Sequence, residues 1–304
     1  MHSVPRVAME ITMKTLLLCA CCTAVLLATT AAAQDQPTDA LVPPTSASDY
    51  TAAQLDQVIG GDWRPAVQRV RDTYRHPKET LEFFGLRPDQ TVIEITPGGG
   101  WYAEILAPLL RDNGHYVAAE KQPAADDEAR GDDSALRKLF AAHPAQFDRA
   151  TIVTFDPKAP SFGPPASADR VLTFRNVHNW AMDGSAPAMF KAFFAVLKPG
   201  GVLGVTDHRA DPGATLDQVK GSGYLPVGYV VKLATDAGFV LDGRSEINAN
   251  PKDDHDHPKG VWTLPPTFAL GDVDKARYQA IGESDRMTLR FLKPEAPART
   301  ASAP

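Results

Sequence analysis

The segment Thr91-Val-Ile-Glu-Ile-Thr-Pro-Gly-Gly-Gly-Trp-Tyr102 decides which fold this chain of 304 residues can adopt. Its first half is a short apolar run rich in β-branched residues, typical of a buried strand, and the run breaks at Pro97-Gly-Gly-Gly100. From Trp101 to Leu110 apolar residues recur at helical spacing. A strand, a glycine turn and a helix in this order open a nucleotide-binding α/β fold, because glycines let a ligand reach the backbone amides at the helix start. The pattern therefore predicts a cofactor site at the turn.

The rest of the chain continues the alternation of strand and helix that this unit begins. Later strands are predicted at 116–120, 150–155, 168–174, 202–206, 239–242 and 286–292, separated mainly by helical patterns. This alternation favours one doubly wound, Rossmann-like α/β domain. We place the domain at residues 49–294, after a flexible leader at 34–48 and before a polar tail at 295–304. Loops are expected directly after the fourth and fifth strands, at 175–180 and 207–209.

The N-terminus has the pattern of a secretory signal peptide. Lys14 is followed by an apolar run from Thr15 to Ala28 and then by small residues that end in Ala31-Ala-Ala33. We expect cleavage near Ala33 and a periplasmic or secreted product. An uncleaved anchor is an alternative, although the run is shorter than the ~20 residues that a membrane span needs. A lipoprotein site at Leu18-Cys-Ala-Cys21 is disfavoured, because the apolar run continues past it.

Cysteine content and charge limit the compartment and the partners. The three cysteines, Cys19, Cys21 and Cys22, all precede the expected cleavage site, so the mature chain has no disulfide and tolerates an oxidising compartment. The formal net charge of the full chain is −6 at pH 7, without a basic patch, which disfavours nucleic-acid binding. We expect no nucleic-acid partner and no stable membrane insertion after cleavage.

The glycine turn by itself is compatible with two cofactors. Gly98-Gly-Gly-Trp-Tyr-Ala103 matches the dinucleotide pattern G-x-G-x-x-G/A. Glu120 lies where an acid that binds a ribose hydroxyl is expected. These two features support NAD and S-adenosylmethionine about equally.

Three further features favour S-adenosylmethionine. Glu94 precedes the turn, where a carboxylate attracts the cationic amino group of a methionine moiety and repels a pyrophosphate. Trp101 and Tyr102 crowd the helix start that a pyrophosphate would approach. After the Leu197-Lys-Pro-Gly-Gly turn and its strand, the sequence contains no second nucleotide-binding half.

On these residues the sequence resembles the class I S-adenosylmethionine-dependent methyltransferases and, more narrowly, a bacterial group of exported, predicted methyltransferases. The resemblance covers nearly the whole expected mature chain. Its most specific pieces are Arg75-His-Pro-Lys-Glu-Thr-Leu81, Thr96-Pro-Gly-Gly-Gly-Trp-Tyr102, Asn176-Val-His-Asn-Trp180 and Pro251-Lys-Asp-Asp-His255. The resemblance implies a seven-stranded sheet whose last strand is antiparallel, with S-adenosylmethionine as cofactor. It also implies methyl transfer, for which we expect a small-molecule acceptor that the sequence does not identify.

The resemblance also indicates the cofactor site. Glu94, Gly98 and Gly100 fall on the cofactor motif, Glu120 on the ribose-binding acid and Asp156 near the adenine. The family motif has its first glycine where this chain has Thr96, which leaves the tightness of the turn open. The complete set of candidate cofactor-binding residues is Glu94, Thr96, Gly98, Gly100, Tyr102, Glu120, Asp156 and Asn176.

The segments after the fourth and fifth strands hold the candidate catalytic groups, since ligands in open α/β sheets bind beyond the carboxyl ends of the strands. His178 and His208 are candidate general bases, and Asp207 is the candidate partner that orients His208. A base is required only if the acceptor atom carries a proton at the working pH; otherwise alignment of the acceptor contributes most. A structural, hydrogen-bonded histidine is the alternative for both positions.

Two questions stay open at the level of sequence. Asp253-Asp-His-Asp-His257 has the side chains of a metal site, but a solvated loop is the simpler interpretation, and we assign no metal ligand. Export would separate the protein from a cytoplasmic cofactor. A non-catalytic exported binding protein with this fold is therefore the main alternative function, and an NAD(P)-linked oxidoreductase is a weaker one.

Overall fold

The computed structural model describes residues 47–123 and 134–295. The predicted signal peptide, nearly all of the flexible leader and the tail after residue 295 lie outside the described residues. The strands are β1 (Thr91–Ile95), β2 (His115–Lys121), β3 (Thr151–Phe155), β4 (Ala168–Phe174), β5 (Leu197–His208), β6 (Val240–Ser245) and β7 (Arg286–Leu292).

Helices precede the sheet and connect most of its strands. They are α1 (Ala47–Ile59), α2 (Ala66–Arg69), α3 (Asp72–Arg75), α4 (Pro77–Phe83), α5 (Ala103–Leu110), α6 (Ala135–Ala142), α7 (Pro144–Phe147), α8 (Val177–Asp183), α9 (Ala186–Val196), α10 (Leu216–Val219), α11 (Val227–Asp236) and α12 (Lys275–Ile281). Two short 3-10 turns lie at Lys220–Ser222 and Gly260–Thr263. No helix within the two described ranges combines the length and the apolarity needed to cross a membrane.

The seven strands form one sheet in the order β3-β2-β1-β4-β5-β7-β6. β1 pairs in parallel with both β2 and β4, so that Val92 lies between Tyr116 and Arg170. β7 is antiparallel to both β5 and β6. The predicted α/β fold class is therefore confirmed, including the antiparallel last strand. The order of the sheet reverses between β1 and β4, and the carboxyl ends of these strands form the crevice where doubly wound sheets bind ligands.

Helices cover both faces of the sheet, because successive residues of each strand point to opposite sides. Ile93 of β1 faces one apolar core, which includes Phe190 of α9. Val92, its neighbour, faces a second core that includes Leu55 of α1 and Leu106 of α5. Both faces are thus filled by buried side chains. This leaves the ends of the strands as the place where the sheet can meet a ligand.

The second, third, fourth and last strands match the prediction within one residue, but the loop expected at 175–180 is wrong. α8 begins there, directly after β4, and Gly184 ends it in a left-handed conformation with φ of 80°. Val177, Trp180 and Ala181 are buried at helical spacing, and this packing forms the helix. Asn176, a residue type favoured at helix starts, occupies the N-cap position, but its side chain makes no capping hydrogen bond there and donates to the Ile95 carbonyl instead.

β5 is longer than predicted at both ends. It begins at Leu197 and passes through Lys198-Pro-Gly-Gly201, which the sequence had assigned to a turn. The pairing extends because the Lys293 amide donates to the Gly201 carbonyl at 2.9 Å and the Gly200 amide donates to the Lys293 carbonyl at 2.9 Å. At its other end β5 includes Asp207 and His208, so these two residues belong to the strand rather than to the loop predicted after it.

Candidate functional site

The turn after β1 is tight although Thr96 stands where the family motif has a glycine. Thr96 has a left-handed φ of 52°, followed by 60° at Gly98 and 87° at Gly100. The Thr96 amide donates to the Ala119 carbonyl of β2 at 2.8 Å. A left-handed residue other than glycine costs about 1–3 kcal/mol, so the surrounding contacts must impose this conformation on a β-branched side chain.

Asn176 joins the ends of the two strands at the reversal of the sheet. Its side-chain amide nitrogen donates to the Ile95 carbonyl at 3.0 Å and to Thr173 Oγ1 at 3.2 Å. A weaker contact of 3.4 Å reaches the Thr96 carbonyl. The structure therefore brings together two of the predicted cofactor-binding residues, Thr96 and Asn176, although they come from different parts of the sequence.

A cavity of about 210 Å³, which we call the turn cavity, lies against this turn. A Cβ atom added at Gly98 or at Gly99 would meet no atom within 4 Å. Both glycines therefore leave space for a ligand to approach the backbone. The lining residues are Gln68, Arg71, Arg75, Thr96, Pro97, Gly98, Gly99, Trp101, Phe174, Arg175 and Asn176.

Gly100 and Tyr102 lie in the protein interior and do not line the turn cavity. A Cβ at Gly100 would lie 2.6 Å from Leu139 Cδ2 and 3.0 Å from Leu136 Cδ1, both in α6. The third glycine of the turn thus permits close packing of a helix. The ring of Tyr102 stacks on Phe174 with ring centroids 3.5 Å apart, and burial raises the pKa of its hydroxyl to about 12.

Asp156 lines a larger cavity of about 900 Å³ at the carboxyl ends of β2 and β3, which we call the outer cavity. Its carboxylate accepts a hydrogen bond from the Lys158 amide at 2.9 Å. Glu120 lies at the end of β2, directly before the lining residue Lys121, and its Oε2 is 3.6 Å from Arg137 Nε. These two predicted residues therefore lie on or beside one cavity, whereas the glycine turn borders another.

Glu94 is buried beneath the turn and does not line the turn cavity. The hydroxyl of Tyr116 in β2 donates to Glu94 Oε2 at 2.6 Å. Burial raises the pKa of the Glu94 carboxyl to about 7, although the hydrogen bond from Tyr116 acts in the opposite direction. The Glu94 carboxyl thus has a protein partner in Tyr116, and its predicted interaction with a methionine amino group stays a prediction.

A third cavity, of about 330 Å³, contains both predicted histidines, and we call it the histidine cavity. His178 Nδ1 lies 2.8 Å from Asp207 Oδ1 at the end of β5. Asp207 is completely buried. Burial alone would raise the pKa of its carboxyl, but the charge of His178 and the hydrogen bond from it lower that pKa below the ordinary value. Asp207 is therefore ionised at neutral pH and orients the His178 ring.

His208 lies beside this pair, with its ring centroid 4.9 Å from that of His178. Its Nδ1 is 2.5 Å from Ser284 Oγ, and its backbone amide donates to Asp207 Oδ1 at 2.7 Å. Burial lowers the pKa of the His208 imidazole well below its ordinary value, and so does the neighbouring His178 ring whenever that ring is protonated. His208 is therefore neutral at pH 7.

The partner predicted for Asp207 is wrong, since its carboxylate orients the ring of His178 and not that of His208. Consecutive residues of an extended strand point to opposite faces, so Asp207 reaches a helix packed on the sheet more readily than its neighbour's ring. Both histidines use Nδ1 for a protein contact. Each keeps Nε2 for a ligand, and a neutral imidazole oriented by a carboxylate is suited to accept a proton.

A cluster of arginines around Glu283 separates the turn cavity from the histidine cavity, and the sequence analysis missed it. Glu283 accepts from Arg71 at 3.1 Å, from Arg75 at 2.9 Å and from Arg286 at 3.0 Å. Although burial favours the neutral acid, these charges lower the pKa of the Glu283 carboxyl to about 2. Only the Arg75-His-Pro motif pointed to this region, and it did not indicate a partner more than two hundred residues away.

The Asp253–His257 segment is not the solvated loop of the simpler interpretation. Asp253 and His257 are buried, while Asp254 is exposed. Asp253 accepts from the Tyr224 hydroxyl at 2.8 Å, from the Asp285 amide at 2.7 Å and from His257 Nε2 at 2.8 Å. These donors explain the burial of this carboxylate without an ion. Within the described ranges, metal-compatible spacing occurs here, at Asp253, Asp254 and His257, and at His178, Asp207 and His208.

Comparison with known proteins supports the fold. No protein-family model matches the chain. The protein-L-isoaspartate O-methyltransferase of Methanopyrus kandleri is 28% identical over 122 residues, which are 40% of this chain and 46% of that protein. The chain thus aligns with less than half the length of this curated relative.

Two solved structures illustrate the similarity of the fold. The [4+2]-cyclase SpnF superposes with a TM-score of 0.51 at 17% identity, over 78% of this chain and 86% of that one. A SAM-dependent methyltransferase from Aquifex aeolicus has a TM-score of 0.49 at 13% identity, over 80% of this chain and 98% of that one. The strand order with an antiparallel β7 is that of the class I methyltransferase fold, and the superposition on SpnF agrees with it.

Replacing Glu94 by glutamine is expected to raise the free energy of unfolding at pH 8 much more than at pH 5. Burial raises the pKa of this carboxyl from 4.5 to about 7, so the folded state keeps a proton that the unfolded chain releases. The resulting destabilisation is absent below pH 4.5, grows as the pH rises from about 4.5 to 7, and then levels off on the order of 3 kcal/mol. Urea unfolding at the two pH values measures the difference. The exposed Glu82 in α4 provides the control, since Glu82→Gln should change the free energy by less than about 0.5 kcal/mol at either pH. An equal gain for Glu94→Gln at both pH values would contradict the burial of an ionisable carboxyl.

Proposed function

We propose that this protein is an S-adenosylmethionine-dependent methyltransferase that acts on a small molecule. The observation that carries the proposal is the pair of adjoining cavities at the reversal of the sheet. The turn cavity and the histidine cavity share Arg71 and Arg175 in their walls. A cofactor in the first and an acceptor in the second would be held next to each other, and such alignment supplies most of the catalysis in a displacement reaction.

The residues at the turn fit a cofactor that approaches the backbone closely. The space beside Gly98 and Gly99 is open, and Thr96 and Asn176 add polar groups to the same wall. These residues would hold the methionine part of S-adenosylmethionine. The outer cavity, with Asp156 on its wall and Glu120 beside it, would hold the adenosine part. When bound, this cofactor supplies a methyl group that is already activated by a sulfonium.

His178 is the residue that would remove a proton from the acceptor. Its Nδ1 is held by Asp207, so its Nε2 is the basic nitrogen left to the histidine cavity. An ionised Asp207 stabilises the imidazolium that forms when Nε2 takes a proton. His208 stays neutral and can share a hydrogen bond with the acceptor without adding charge to the cavity.

The partial similarity to an O-methyltransferase supports methyl transfer. The fold alone does not decide the reaction, because SpnF, a [4+2]-cyclase, has a similar structure. The buried pair of His178 and Asp207 favours an enzyme over a non-catalytic binding protein, since a binding protein gains nothing from an oriented base. A nicotinamide-dependent reaction has no comparable support among these residues.

A valine at Gly99 is expected to weaken S-adenosylhomocysteine binding at least ~10-fold, which corresponds to about 1.4 kcal/mol. Gly99 has an ordinary backbone conformation and free space around its Cα, so the added side chain occupies the turn cavity without straining the fold. Isothermal titration of the purified protein measures the affinity. Gly221→Val is the matched control, because Gly221 also has free space and an ordinary backbone but lies outside the turn cavity.

Other titration results would decide against this cofactor. If Gly99→Val binds S-adenosylhomocysteine with unchanged affinity, the cofactor does not bind at the turn. Tighter binding of NAD than of S-adenosylhomocysteine would favour the oxidoreductase. A folded protein that binds neither compound would favour the non-catalytic binding module.

Alanine at His178 is expected to lower turnover by ~10²–10⁴-fold while leaving cofactor affinity unchanged, because it removes only the proton acceptor. Asp207→Asn should cause a similar loss through the wrong ring orientation. Conversion of S-adenosylmethionine to S-adenosylhomocysteine, with an acceptor found by screening small molecules, measures turnover. The remaining activity of His178→Ala should no longer fall on the acid side of the pH–rate profile.

The exposed His115 of β2 is the matched control, and His115→Ala should keep full activity. Full activity of His178→Ala with an acceptor that loses a proton would show that the base lies elsewhere. If His208→Ala alone abolished turnover, the roles of the two rings would be exchanged.

We also propose that the protein is one of a group of exported methyltransferases, with a signal peptide at 1–33 that is removed near Ala33. Support comes only from the sequence pattern of Lys14, the apolar run and Ala31-Ala-Ala33, all outside the described residues. N-terminal sequencing of protein from the periplasmic fraction should begin near Gln34. A chain expressed from Gln34 is the control and should remain in the cytoplasm. Uncleaved protein that retains Lys14 and the apolar run, found in the cytoplasmic fraction, would disprove export.

A further inference from the structure

The wall between the turn cavity and the histidine cavity carries an excess of positive charge. The carboxylate of Glu283 pairs with Arg71, Arg75 and Arg286. Arg175 is close enough to lower the pKa of both Arg75 and Glu283. One carboxylate is therefore the counterion of four guanidinium groups. Among the described residues of this cluster, the net charge is +3.

Arg175 is the arginine of this wall that has no side-chain partner. Within residues 47–123 and 134–295, its guanidinium makes no hydrogen bond and no ion pair, whereas its backbone amide donates to the Thr206 carbonyl at 2.7 Å. The backbone of Arg175 is left-handed, with φ of 63°, a strained conformation for a residue other than glycine. Burial lowers the pKa of Arg175 to about 10, which leaves it charged at neutral pH.

A partly buried, unpaired guanidinium is unfavourable unless a ligand supplies the opposite charge. Arg71 and Arg175 both line the histidine cavity, together with His178 and the apolar surfaces of Trp262 and Pro265. Guanidinium groups bind carboxylates and phosphates through paired hydrogen bonds, which fixes the orientation of the ligand as well as its position. An anionic group bound by these arginines would hold the rest of the ligand in the same cavity that His178 lines.

We propose that the methyl acceptor carries a carboxylate or phosphate that binds between Arg71 and Arg175, with its reactive group directed toward His178. This assignment of a substrate class rests on the proposed methyl transfer. Arg71 and Arg175 position the acceptor, and His178 acts on its proton.

The carboxylate of the cofactor itself is the competing occupant, because Arg71 and Arg175 also line the turn cavity. Arg75 lines the turn cavity but not the histidine cavity, so it is available to the cofactor alone. Arg175 reaches both spaces and has no partner in the protein. The two assignments differ in whether an anion still binds when the cofactor site is full.

Titration with small anions tests the proposal on the whole protein. Benzoate and phenyl phosphate are the anionic probes, and benzamide is the neutral probe of similar shape. With S-adenosylhomocysteine at saturation, we expect at least one anion to bind ~10-fold or more tightly than benzamide, as charge-assisted hydrogen bonds imply. The anion that binds distinguishes a carboxylate from a phosphate acceptor.

Arg175→Gln should lower the affinity for that anion ~10-fold or more and leave the affinity for S-adenosylhomocysteine within about twofold. Arg175→Lys keeps the charge and should retain part of the binding, which separates a loss of charge from a loss of fold. Arg71→Gln should weaken anion binding in the same direction. Arg111→Gln is the control, since Arg111 pairs with Asp148 on the surface and should not affect either ligand.

Several results would overturn the proposal. If saturating S-adenosylhomocysteine prevents anion binding, or if neither anion binds better than benzamide, the arginines do not hold an acceptor. If Arg175→Gln weakens S-adenosylhomocysteine but not 5′-methylthioadenosine, which lacks the amino-acid part, Arg175 serves the cofactor. If the protein binds an anion in this way but does not bind S-adenosylhomocysteine, the proposed methyl transfer is refuted, whereas the anion site is supported.

Discussion

The buried carboxylate of Glu283 is the contact on which the geometry of the site depends. It pairs with Arg75 at the end of α3 and with Arg286 at the start of β7, and so joins the N-terminal helices to the last strand. The pKa of about 2 means that Glu283 is ionised at every physiological pH. Removal of one partner from a buried ion pair costs about 3–5 kcal/mol, because the remaining charge is left uncompensated. Without Glu283 the clustered guanidinium groups would repel one another, and the wall between the two cavities would separate.

Trp101 connects this cluster to the glycine turn. Its indole contacts two guanidinium groups, whose Cζ atoms lie 5.3 Å (Arg64) and 4.7 Å (Arg75) from the ring centroid, and its nitrogen donates to the Gln68 carbonyl at 2.9 Å. Cation–π contacts of this kind are worth about 0.5–2 kcal/mol each and are stronger when desolvated. The aromatic residue that the sequence suggested as a barrier to a pyrophosphate thus also anchors the N-terminal helices over the turn cavity. Charge and aromatic packing together form one side of the site, and the sheet forms the other.

Backbone strain is concentrated at the ends of the two strands that flank the reversal of the sheet. Thr96 follows β1 and Arg175 follows β4, and both are left-handed although neither is a glycine. Each is held by a backbone hydrogen bond to a neighbouring strand, from Thr96 to Ala119 at 2.8 Å and from Arg175 to Thr206 at 2.7 Å. Strain of this type persists where the surrounding structure over-determines the conformation, and it is common at functional sites. Here the strained backbone places Thr96 beside the proposed cofactor site and the charged side chain of Arg175 between the two cavities.

The sequence by itself determined the α/β class, most strand positions and the location of the candidate site after the first, fourth and fifth strands, because periodicity and glycine turns are local properties of the chain. It also singled out His178, His208 and Asp207. Only the tertiary structure decided how these groups are paired, since Asp207 orients a ring that lies on a helix packed against its strand and not the ring next to it in sequence. It also decided that one glycine of the turn contacts helix α6, and that Glu283 meets arginines more than two hundred residues away. The physical reason is the same in each case: burial and ion pairing depend on which side chains the fold brings within a few ångströms, and no spacing along the chain encodes those distances.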